Sequence, residues 1–208
     1  AERILVPART DGGLGLFLVD PAADGVDLEP VEVTSREPHA HVSLSGARVD
    51  RDEVLAGPED GAEAVAWLEL RAKAALCAVA LGVAERALRI TAEYTTEREH
   101  AARPLASFRP AHQRAPEASL AIEAIRLSSW QASYRIAAGE PAEEAVAIAK
   151  FWAAEAGHFA TYAAIHLHGG MGVDVDYPVH RYYLWARQIE LTLGSANRQL
   201  ATLGTTLA

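Results

Sequence analysis

The stretch His166-Leu167-His168-Gly169-Gly170-Met171-Gly172 carries the residue types best suited to chemistry. Consecutive glycines leave backbone N–H groups free of side-chain cover, and such a nest can approach a phosphate or a flat cofactor closely. The two histidines can donate to oxygen acceptors of a nucleotide. Glycines also end helices routinely, so a plain helix cap is the competing reading. Arg98, at the end of a predicted helix, either complements the helix dipole or offers a guanidinium to a phosphate. His166 and His168 are two residues apart with no carboxylate partner at the usual helical spacing, so no metal site is expected. Tyr182, Tyr183 and Trp185 lie beside Arg181 and Arg187. They read as packing between helices or as an oligomer contact rather than a base-stacking surface.

The elements that must position these residues change character near residue 60. Arg3–Val6, Leu14–Val19, Val26–Val33 and Ala40–Val49 are short runs of branched and apolar residues punctuated by turn residues, so residues 1–60 read as β. Asp11-Gly12-Gly13 predicts a hairpin loop. The polar stretch Asp50–Asp60 predicts the boundary, and residues 61–208 read as a helical bundle. Ala64, Leu68, Ala72, Ala75, Val79, Gly82, Val83, Ala87, Ile90 and Tyr94 keep a helical spacing that predicts one helix of roughly nine turns. Arg103-Pro104 breaks it. A second helix follows Pro110, with Pro116 in its early turns, and runs to about Ala138 before Gly139-Glu140-Pro141. A third spans about Ala142–His168. A short one runs from Pro178 to Leu191, and a last one covers Ser195–Leu203. The small residues Ala74, Ala75, Ala78 and Gly82 predict close helix approach. Trp130, Tyr134, Phe151, Trp152, Phe159 and Tyr162 are expected in the core. The fold class is therefore α+β, mainly α, with an antiparallel bundle.

Composition narrows the function classes. The formal net charge of −9 disfavours nucleic acid and anionic membrane as partners. No apolar run is long enough to span a bilayer. A single cysteine, Cys77, leaves no disulfide within the 208 residues, which fits a cytoplasmic address. The opening Ala1–Pro7 reads as the middle of a strand, so the chain is expected to begin inside a larger fold.

The order of these motifs resembles the acyl-CoA dehydrogenase family. The likeness lies in a long third helix, then His166, Gly169, Gly170 and Gly172, then Tyr177-Pro178-Val179 with Arg181. Ala186-Arg187 follows, and Gly194-Ser195 opens a last helix. Leu81-Gly82-Val83-Ala84, Ala87-Leu88, Tyr94 and Glu97-Arg98 resemble the first helix of the family's C-terminal domain. Arg103-Pro104-Leu105 with Phe108 resembles the connection after it. Gly25-Val26 and the strand ending at Val49-Asp50 resemble the last strands of the family's middle β domain. The resemblance covers nearly the whole chain but only the C-terminal part of a typical member.

The resemblance implies FAD as cofactor and an acyl-CoA thioester as substrate. In such enzymes a carboxylate takes the α proton while hydride leaves to the flavin. It also implies that Arg98, His100, His166, Gly169 and Gly170 contact FAD. The catalytic set is empty: Leu193 and Ala72 occupy the two positions where members carry the base, and neither accepts a proton. Glu69, three residues before Ala72 on the same helical face, is the nearby carboxylate that offers a substitute, while Glu190 and Asp176 match no catalytic position. Ala101 stands where the family has a Phe. The wording around the glycines is similar to the base-lacking subunit of heteromeric actinobacterial steroid acyl-CoA dehydrogenases. That implies a second chain carrying the Glu, in an α2β2 heterotetramer acting on a steroid side-chain CoA ester. Two other readings stand beside it: a structural or regulatory relative that binds no flavin, and a self-sufficient enzyme using Glu69.

Overall fold

The branched runs near the start form strands, in a computed structural model that describes residues 2–206. β1 (Ile4–Thr10) and β2 (Gly13–Val19) pair antiparallel around the Asp11-Gly12 loop, with Ile4 opposite Val19 and Thr10 opposite Gly13. β3 (Val26–Val31) and β4 (His39–Leu44) form a separate hairpin. β5 (Val54–Ala56) adds to the free edge of β2. This last strand lies in the stretch expected to be a loop: three residues embedded in turn formers give no alternation to read. The expected strands Val26–Val33 and Ala40–Val49 are both shorter in the structure, and Arg3–Val6 extends to Thr10. Gly61 begins a helix against β2, where a Cβ would collide with the Leu14 carbonyl, so only glycine fits.

Five helices follow: α1 (Gly61–Glu97), α2 (Arg109–Ala138), α3 (Glu143–His168), α4 (Pro178–Leu191) and α5 (Ala196–Thr206). The compact division of the chain falls between Glu69 and Leu70, so the first turns of α1 count with the strands and the remainder with the bundle. Pro116 sits inside α2 without ending it. Gly139 takes φ 70°, and the backbone N–H of Glu140 reaches the Arg135 carbonyl at 2.9 Å, closing α2 with a left-handed cap.

α3 is the central helix, in contact with α2, α4 and α5. Its buried side is mostly alanine: Ala145, Ala149, Ala153, Ala156, Ala160 and Ala163. Ala118, Ile122, Ile125 and Ala132 of α2 meet it, and Cys77, Ala80, Val83 and Ala84 of α1 join the same core. Small residues let helix axes draw close, and the gain comes from many short dispersion contacts rather than from bulk.

Two expectations are corrected here. Ala75, Ala78 and Gly82 are exposed, and nothing lies within 4 Å of where a Gly82 Cβ would be. Of the four, only Ala74 packs against the core, and the longest run of buried small residues lies on α3. Four of the six aromatics are not core: Trp130 and Tyr134 are 61% and 67% exposed, and Trp152 and Tyr162 are also exposed. Phe151 is half-buried, and Phe159 packs against the core as expected. A seam packed on alanine has little room for indole or phenol rings, so those four project from the outer faces of α2 and α3. Leu120 and Leu127 share that exposure.

Ile125→Ala should therefore cost about 3 kcal/mol, because Ile125 is fully buried in a seam of small residues that cannot collapse onto the gap. Leu120→Ala should cost less than about 0.5 kcal/mol. Urea unfolding midpoints of the two variants check the contrast.

Candidate functional site

The glycine loop is set by the way α3 ends. Gly169 takes φ 61°, and its N–H reaches the His166 carbonyl. The chain then makes a 3-10 turn over Gly169–Val173. Gly172 is buried where a Cβ would collide with the Ile165 carbonyl, so this glycine is required by packing. Gly169 and Gly170 are exposed, with open space where a side chain would stand. His166 is exposed on the last turn of α3.

His168 does not join it. Residues two apart face opposite sides of a helix, and His168 is 3% exposed. Its Nδ1 donates to the Ala164 carbonyl at 2.8 Å, since a carbonyl can only accept. Its Nε2 is buried without a hydrogen-bond partner. The ring stacks on Tyr94 at 4.3 Å between centroids, 19° from parallel. Tyr177 lies 5.2 Å away on a tilted plane. The expectation that both histidines donate outward is corrected: only His166 faces solvent.

Tyr94 lies one turn before Arg98, whose N–H reaches the Tyr94 carbonyl at 2.8 Å. The stack therefore ties the end of α1, with the exposed Arg98 just beyond it, to the end of α3 and its glycines. His100 lies further along, on a small hairpin of β6 (Glu99–His100) and β7 (Arg103–Pro104). Its ring is 5.9 Å from Phe108, over which the Arg103 guanidinium sits at 4.1 Å. Ala101 and Ala102 form the hairpin tip with φ 51° and 61°, a left-handed conformation that costs non-glycine residues about 1 kcal/mol or more each.

The turn after α4 carries Leu193 at φ 56° and Gly194 at φ 101°. Beneath it lies Lys150, fully buried on α3. The Lys150 ammonium donates to the carbonyls of Ile189, Glu190 and Gly194 at 3.0, 3.1 and 3.0 Å. Those include carbonyls that the C-terminus of α4 leaves without helical partners. Gln199 Nε2 donates to the carbonyls of Leu193 and Gly194 at 3.3 and 3.2 Å. Burial holds the Lys150 pKa below the usual lysine value, against the opposing pull of Cys77 and Glu190. The neighbouring Cys77 thiol is pushed up to about 12, chiefly by burial. Leu193 itself is 38% exposed and offers no proton acceptor.

Other carboxylates are accounted for. Glu190 pairs with Arg187, and its Oε2 lies 3.4 Å from His158 Nδ1. Arg187 also donates to that nitrogen at 2.9 Å. Asp176 is exposed, its backbone N–H bonded to Asp174. Glu69 and Ala72 are half-buried on α1. Sequence reasoning missed Lys150 and His158. The signal for Lys150 was there: it is one of two lysines in the chain, flanked on both sides by apolar residues.

Residues 59–208 match the family description "Acyl-CoA dehydrogenase, C-terminal domain". Acyl-CoA dehydrogenase FadE27 of Mycobacterium tuberculosis is 40% identical over the whole of this chain and 57% of its own length. The crystal structure of the ChsE4–ChsE5 complex from the same species superposes with a TM-score of 0.93 at 41% identity, covering 100% of this chain and 56% of that one. A variant of the Tcur3481–Tcur3483 steroid ACAD gives a TM-score of 0.89 at 42% identity, covering 100% and 55%. The fold is thus that of an acyl-CoA dehydrogenase. The chain belongs to the acyl-CoA dehydrogenase family, and it spans little more than half the length of the relatives it matches.

Two outcomes follow from this geometry. Lys150→Met should destabilise the fold by about 3 kcal/mol or more, because three buried carbonyls lose a charged donor at once. Thermal unfolding at one fixed pH measures it. The second concerns pH. Burial lowers the His168 pKa below its usual 6.5, outweighing the Ala164 hydrogen bond that raises it. The groups facing it are Tyr94 from α1 and Tyr177 from the loop before α4, with Glu97 acting on Tyr177. A depressed folded-state value means this contribution is fully present above 6.5 and is lost as pH falls below it, where the unfolded chain binds the proton first. Wild-type stability should fall more steeply than that of His168→Phe between about pH 7 and pH 5, as read by urea titration.

Proposed function

We propose that this chain is the base-lacking subunit of a heteromeric FAD-dependent acyl-CoA dehydrogenase. A second acyl-CoA dehydrogenase chain supplies the catalytic Glu, in an α2β2 assembly. The observation that carries this reading is Leu193 on a fully formed turn. Lys150 and Gln199 hold that turn in place, while the residue on it cannot take a proton.

The residues present suit the flavin cofactor. Gly169 and Gly170 present backbone with open space above it, a surface that a phosphate or a flat ring can approach. The exposed Arg98 guanidinium matches phosphate oxygens, and the exposed His166 and His100 can donate to polar groups. FAD, when bound, accepts the hydride. This chain's part is to bind and orient it and to present an apolar residue where a carboxylate would otherwise stand. Steroid side-chain CoA esters are the proposed substrate class, supported by the likeness to the Tcur3481–Tcur3483 steroid ACAD. Among the described residues no helix is long and apolar enough to cross a membrane, in keeping with a cytoplasmic place for the complex.

A second reading, a structural relative that binds no flavin, draws on Ala101 in the place of the family's Phe. Co-expression with a base-carrying partner separates them. The expected result is a co-purifying yellow complex that dehydrogenates an acyl-CoA and loses activity when the partner's base is removed. A colourless complex supports the second reading. If this chain alone binds a full equivalent of FAD and oxidises an acyl-CoA, the proposal is wrong. Glu69→Gln in the complex should leave turnover unchanged.

A further inference from the structure

We propose that His168 is a positioning residue for the flavin, fixing Arg98 and the Gly169-Gly170 loop relative to each other through its stack on Tyr94. This rests on the reading that those two segments hold FAD.

The two segments come from different helices and are far apart in sequence. Arg98 follows the end of α1, and the glycines follow the end of α3. Neither is pinned by its own side chain: Arg98 is exposed, and the glycines have none. What joins the helix ends is the face-to-face contact of Tyr94 and His168, with Tyr177 set edge-on to Tyr94 at 6.5 Å. Tyr94 is bound through its carbonyl to the Arg98 N–H, and His168 adjoins Gly169 directly. A shift at this contact moves both segments.

The identity of the residue argues for more than packing. A leucine or phenylalanine would fill the space with no polar atom to satisfy. The histidine instead leaves Nε2 buried and unpartnered, which costs stability. In return, Nδ1 is tied to the Ala164 carbonyl one turn back on α3. That bond fixes the ring about its side-chain axis, and a fixed ring holds Tyr94 at one angle. Groups that bind a cofactor need such support from behind, since a small misplacement is felt directly in affinity.

The test uses the co-purified complex with its base-carrying partner. FAD dissociation constants and apo-complex melting temperatures are measured for wild type, His168→Ala, His168→Phe and Tyr94→Leu. The expected result is FAD binding weakened about tenfold or more in His168→Ala and Tyr94→Leu, and weakened to a lesser degree in His168→Phe, which keeps a ring against Tyr94 but loses the bond to the Ala164 carbonyl that fixes it. A purely structural residue would lower the melting temperature and leave the FAD constant of the folded complex unchanged. Wild-type affinity in both His168→Ala and Tyr94→Leu overturns the inference while the flavin reading stands. If His168→Ala does not assemble, Tyr94→Leu decides alone by the same criterion. A wild-type complex that takes up no FAD overturns both.

Discussion

A single buried ammonium organises the end of the bundle where α4 turns into α5. Lys150 rises from the central helix into the end of α4 and meets three carbonyl oxygens there. Burying a charge is expensive unless every proton finds a partner. Here the number of donors and acceptors matches. The helix end is capped twice: its next residue, Thr192, donates to the Gln188 carbonyl, and Lys150 reaches the following carbonyls from inside the protein. The turn that follows can then hold Leu193 in a left-handed conformation that a free loop would relax. Removing Lys150 would undo its cap on α4 and leave the Gly194 carbonyl, the one acceptor it shares with Gln199 of α5, to Gln199 alone.

Much of the architecture could be read along the chain. Helix ends announced themselves at Gly139 and Gly169, and Pro178 marked a start. The inward face of each helix was harder. α1 and α3 carry alanine on several sides, so apolar spacing has little contrast, and Trp130, Tyr134, Trp152 and Tyr162 were taken for the core when they lie outside it. Partners distant in sequence were invisible for a different reason. Lys150 reaches carbonyls 39 to 44 positions away, and no local pattern encodes that. The histidines were half legible: helix geometry alone separates His166 from His168, but only the packed structure shows which one is inside.

On the proposed reading, the chain keeps the supports of a flavin enzyme and lacks its proton acceptor. Its glycine loop, its Arg98 and the turn at Leu193 would then serve the cofactor, while Leu193 and Ala101 stand where the proposed pattern has an acid and an aromatic ring. Such a division makes sense only if geometry is worth retaining after the proton acceptor is gone. A surface shared with the proposed second chain would supply that reason, because the partner's site would then depend on contacts this chain must still present.

The outward aromatics have a practical consequence. The chain has four tryptophans. Trp67, Trp130 and Trp152 are exposed, and Trp185 is half-buried beneath the Arg181 guanidinium. Trp185 packs against the core with its ring nitrogen buried, but unfolding moves the other three indoles from one wet environment to another. Intrinsic fluorescence of this chain is therefore a poor reporter of folding and a sensitive one of whatever comes to rest against its sides.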